Sequence, residues 1–157
     1  MQLMDGAPHQ FILHHTEKDL IPMQAFVHRT FNATDLLYFI HFLRKHYTSE
    51  NSLETAFTKN LPPGSADVTR ALSGFHTYFF DDEHAPQRTR KHIATPACKS
   101  ACKRLNMYLR WMVRHDRNGV DFGLWKKIRP AQLICPVDVH AERIARQLGL
   151  ITRKAID

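Results

Sequence analysis

Acidic residues are scarce in the C-terminal half of this chain, and cysteines and long apolar runs are scarce throughout. No run of about 18 or more apolar residues occurs, so no membrane-spanning helix is expected. The opening MQLMDGAPHQ lacks the basic and apolar blocks of a secretory signal. The cysteines, Cys98, Cys102 and Cys135, are odd in number and follow no such signal. That argues against a disulfide-stapled secreted scaffold and for the reducing cytoplasm. Internal repeats and low-complexity tracts are absent, which removes solenoids and disordered tails. The 157 residues, 43% hydrophobic, suit a single domain with a core of its own.

The missing acids are the informative absence. Residues 1–87 carry 6 Lys+Arg against 10 Asp+Glu, whereas residues 88–157 carry 16 against 5. A net charge of −4 thus gives way to +11, which points to a polyanionic partner for the second half. Nucleic acid is the usual one.

What is present reads as helix. PHQFILHH predicts two helical turns with Pro8 in the first. Met23–Phe31 reads as a buried connector, extended or irregular. Asn32 and Asp35 cap a helix that buries Leu36, Phe39, Ile40 and Leu43, with His41 and His46 as surface or hydrogen-bonded groups. Ser52 and Glu54 open a short helix ended by the LPPG turn, Leu61–Gly64. Asp67 begins another, with Val68, Leu72, Phe75 and Phe79 on one face and a solvated acidic tail, FFDDEH.

The segment 95–150 forms the centre of the reading. The helix Ala101–Arg114 places Leu105, Tyr108, Leu109 and Met112 toward the core. Lys103, Asn106, Met107, Arg110 and Arg114 share the opposite face, which has no anion of its own. Lys103 lies near the helix start beside Arg104 and Arg110, surroundings that disfavour another positive charge and so suit an amine nucleophile. Lys99, one turn earlier, is its competitor. Asn118-Gly119 marks a turn, a short helix is expected around Trp125, and Pro136-Val-Asp138 opens the last helix. In that helix Val137, Ile144 and Leu148 line one side, Arg143 and Arg146 face outward, and Gly149 stops it. Asp138 fits an N-cap, which alone would account for it. Cys98, Cys102, Cys135 and a histidine have a permissible metal-ligand spacing, but small buried thiols explain them as well. No metal or cofactor is therefore assigned.

PVDVHAERIARQLGL resembles the V-D-T-H helix of helix-hairpin-helix DNA glycosylases of the endonuclease III type, matching at Asp138, His140, Arg143 and the Leu-Gly-Leu end. Archaeal oxidised-guanine glycosylases show a similar order, with a lysine opening an apolar helix, an insert, then I-P-V-D; here Lys103 and Asp138 are 35 residues apart. More closely, CKRLNMYLRWMVR, DFGLWKKI and LICPVDVH resemble a conserved bacterial family known only as a domain of unknown function, a similarity covering most of the chain.

The resemblance implies an all-α helical bundle of the glycosylase type, incomplete at both ends. Lys103 would be a Schiff-base nucleophile and Asp138 a catalytic carboxylate. Lys99, Arg104, Arg110, Arg114, Arg117, His140 and Arg143 would be DNA contacts, with damaged duplex DNA as partner. One departure stands out. Where the glycosylase hairpin reads L-P-G-V-G, this chain reads TPACKSA, with Lys99 in a glycine's place. A non-catalytic nucleic-acid-binding module is the alternative.

Overall fold

The structure, a computed structural model, describes residues 4, 6–135, 137 and 139–152. Helices dominate it. They are α1 (Pro8–His14), α2 (Glu17–Leu20), α3 (Ala33–Ser49), α4 (Glu54–Thr58), α5 (Thr69–Phe79), α6 (Lys103–Val113) and α7 (Val139–Gln147). Short 3-10 turns join them. Strands β1 (Val27–His28) and β2 (Phe31–Asn32) form a two-residue antiparallel ladder. Among the described residues no helix is long and apolar enough to cross a membrane.

The chain divides into two compact units. One comprises Met1–Ala56 and Thr77–Ile93, the other Phe57–His76 and Ala94–Asp157. In the first unit α3 is the axis, and its start follows from chemistry legible in the chain. The Asn32 side chain accepts from Asp35 N while Asp35 returns a bond to Asn32 N, a reciprocal cap. The helix buries two faces. Ile40 packs with Ile12 and Met23, bordered by Leu36 and Leu43. On the other side Tyr38 and Phe42 meet Phe79 edge-on or tilted, and Tyr38 donates its hydroxyl proton to Phe79 O at 2.7 Å. His46 is fully buried between Tyr78 Oη and Ser52 O, a hydrogen-bonded core group.

Asp35 also anchors the end of this unit. Its buried carboxylate accepts from Thr89 Oγ1 at 2.8 Å and lies 3.2 Å from both Arg88 Nη2 and His92 Nε2. Burial alone would raise its pKa, but the Asn32 amide, the Thr89 hydroxyl and the two basic groups outweigh it, and the net shift is downward. The Met23–Phe31 connector contains the extended residues of β1 but is mostly exposed rather than buried. Arg29 takes a left-handed conformation, φ 56°, to turn the small hairpin, and Val27 faces solvent.

In the second unit Val68, just before α5, and the α5 side chains Leu72 and Phe75 are all buried, as the spacing predicted. Phe57 stacks on Phe75 at 4.1 Å and lies 5.4 Å from Trp125. Gln132 stitches the loop before α5 to the 3-10 turn Pro130–Gln132, donating to Ser65 O while its own carbonyl accepts from Val68 N. Trp125 lies outside any helix, not in the expected short one. Its amide N and that of Phe122 cap the carbonyls of Met112 and Trp111, so the chain leaving α6 doubles back on the helix end and satisfies it. Gly123 permits this turn. Its φ is +62°, and a Cβ there would stand 2.7 Å from the His115 Cβ.

Candidate nucleic-acid interface

The head of α6 is built from a cationic loop. Thr95 accepts from Ala97 N through Oγ1 and opens the 3-10 turn Pro96–Cys98. Lys99 follows with φ 56° and ψ 28°, the left-handed conformation that favours glycine. The lysine standing where a hairpin glycine is expected thus adopts a glycine's backbone. Cys102, the residue before the helix, is left-handed too, φ 47°. Its thiol is buried, donates to Ser100 O, and is pushed up in pKa by that burial. Asn106, expected on the charged face, is buried instead because its Nδ2 donates to Ala101 O at 2.9 Å and ties the loop to the helix.

Lys99, Lys103 and Arg104 are all exposed, and the first turn of α6 has no acid. Lys103 is the first helical residue. At the other end of the helix Arg110 and Arg114 do have an anion, supplied from outside the helix. Asp121, only 2% exposed, sits with Oδ1 3.2 Å from Arg110 Nε and Oδ2 3.5 Å from Arg114 Nε. The helix sequence alone gave no sign of it. Nor did the residues around Asp121, where Asp121, Gly123 and Trp125 are buried while the apolar Val120, Phe122 and Leu124 are exposed.

The same two arginines open on a cavity of about 260 Å³. Met107 joins them from α6, and Pro130, Leu133, Ile134 and Cys135 close it from the returning segment. Asp138, the carboxylate that the resemblance implies, lies outside the described residues. Arg117 is exposed in the loop after α6, and His140 and Arg143 are exposed on α7. Ile144 of α7 and Leu148 just after it, expected along one side of the helix, are exposed as well. Arg146, expected outside as a cation, pairs with Glu142 at 2.7 Å. Gly149 ends the helix as anticipated, with φ +69° and its neighbour Leu150 N bonded to Ala145 O.

Cys98 and Cys135 are exposed and Cys102 is buried. Among the described residues no group of three His, Cys, Asp or Glu side chains gathers as a metal site would require. No curated protein and no solved structure matches the chain. One family model does, and it covers residues 1–157 under the description "Protein of unknown function (DUF2400)". The chain therefore belongs to the DUF2400 family.

Proposed function

We propose that this protein binds DNA through the cationic surface of residues 95–150 and acts there as a base-excision glycosylase with a lyase step. The observation carrying this reading is the head of α6. Lys103 stands exposed at the first helical position, behind a loop whose Lys99 takes a glycine's conformation and whose helix start has no acid. Such a start attracts a phosphate and places an amine beside it. The glycosylase bundle, with Asp138 as the carboxylate, follows the sequence resemblance.

In this mechanism a damaged nucleotide leaves the base stack. The Lys103 amine attacks the sugar anomeric carbon as the base departs with the electrons of the glycosidic bond. Asp138 balances the positive charge that develops on the sugar and assists transfer of the amine proton. Ring opening gives an iminium. Loss of a proton from the neighbouring carbon then expels the 3′ phosphate. Lys99, Arg104, Arg117, His140 and Arg143 hold the backbone.

The test is borohydride reduction on DNA carrying an abasic site or oxidised guanine. A covalent protein–DNA band that vanishes in Lys103→Ala supports the mechanism. A band untouched by that substitution moves the nucleophile elsewhere, with Lys99 first in line. Complete absence of a band, with binding retained in Asp138→Asn, leaves a non-catalytic binding module. The tethering of Arg110 and Arg114 by Asp121 favours this second reading, because it builds a binding surface without needing a nucleophile.

A further inference from the structure

Arg110 lies in the last turn of α6 and Arg114 is the residue that caps its C-terminal end, so two like charges stand close together there. One carboxylate holds them together. Asp121 approaches both at Nε, the two side chains remain 39% and 52% exposed, and two positive charges meet a single negative one. The carboxylate is itself placed by the alternation of residues 120–125 and by the tight Phe122 N to Trp111 O bond of 2.7 Å. This arrangement leaves two guanidinium groups sharing one carboxylate, with a net positive charge and donors to spare at the cavity.

Beside the two guanidinium groups the wall is apolar, formed by Met107, Pro130, Leu133 and Ile134. The volume, about 260 Å³, is just below the ~300 Å³ at which sites for drug-sized ligands begin. A space of this size would take at most one nucleotide unit. We infer that this cavity is a nucleotide-phosphate site, with the phosphate on Arg110 and Arg114 and the base or sugar against the apolar wall. A group that brings its own phosphate into the cavity is either a free mononucleotide or the phosphorylated end of a strand. The inference rests on the nucleic-acid reading above for its ligand class, and it does not involve Lys103.

Titration calorimetry on the full chain tests it, using adenosine 5′-monophosphate, adenosine, inorganic phosphate, and a single-stranded ten-mer with either a 5′-phosphate or a 5′-hydroxyl. The monophosphate should bind at least ~10-fold more tightly than adenosine or phosphate alone, the size expected for a charge-assisted contact. Arg110→Gln and Arg114→Gln should each remove that advantage. Arg110→Lys, which keeps the charge and loses the guanidinium fork, should remove most of it. Lys103→Ala should leave it unchanged, so that this inference and the Schiff-base mechanism fail separately. A matching preference for the phosphorylated ten-mer assigns the site to strand ends, and binding of the mononucleotide alone assigns it to a free ligand. Phosphate binding as tightly as the monophosphate would overturn the inference. So would absence of monophosphate binding at millimolar concentration, or Gln and Lys variants that fold by circular dichroism and bind like the parent.

Discussion

Lys99 shows how much a single backbone angle can say. A side chain in the left-handed region is strained by contact between Cβ and the peptide, a strain glycine avoids. Lys99→Gly should therefore stabilise the protein by about 0.5–1 kcal/mol in chemical denaturation, net of the entropy glycine adds to the unfolded chain. Lys99→Ala keeps the strain and should be close to neutral. If glycine destabilises instead, the left-handed angle is not what the position requires. Asp82 offers a second residue-scale test. It pairs with His41 Nε2 at 3.0 Å and Lys45 Nζ at 3.4 Å, and the His41 bond first, then the His84 amide, lowers its pKa to about 2. A folded value below the unfolded one stabilises the native state above the ordinary 3.8, and that stability drains away as pH falls toward 2. Asp82→Asn should cost about 1–2 kcal/mol near pH 6 and almost nothing near pH 2. A penalty independent of pH would mean that packing, not charge, is at work. The acidic tail was legible as a helix terminus. Its basic partners were not, because they sit 41 and 37 residues earlier in the chain.

At the scale of elements, chemistry that acts over three or four residues was readable and chemistry that acts across the fold was not. The Asn32–Asp35 cap, the α5 face and the Gly149 stop are all local, and each stands where the spacing put it. The α6 wheel placed Leu109 correctly in the core but put Asn106 outside, because its partner, Ala101 O, belongs to the preceding loop. Residues 120–125 show the same difficulty. Their alternation is that of a strand, yet the outward row is apolar and the inward row contains a carboxylate, so hydrophobicity pointed the wrong way. The consequence is measurable. Trp125→Ala removes a buried ring packed on Phe57 and Tyr108 and should cost about 3–5 kcal/mol. Phe122→Ala, three residues away and half exposed, should cost under about 1 kcal/mol. Equal losses would contradict the inward–outward assignment.

For the molecule as a whole, charge distribution is what the sequence states most plainly, and it sets the last expectation. The cations of residues 88–157 do not form one uniform field. Arg88 pairs with Asp35, Arg110 and Arg114 share Asp121, and Arg146 pairs with Glu142, so part of the +11 is spent within the fold. Lys99, Arg104, Arg117, His140 and Arg143 are exposed and are the proposed backbone contacts. If about five such contacts release counterions from duplex DNA, affinity should fall roughly 500-fold between 50 and 200 mM salt. Arg143→Gln should reduce the slope of log affinity against log salt by about 1, while Arg146→Gln, whose charge already faces Glu142, should change it far less. Fluorescence anisotropy on a labelled duplex would measure both slopes. Equal changes in the two variants would mean that net charge alone governs binding, and the distinction drawn here between paired and exposed arginines would fail.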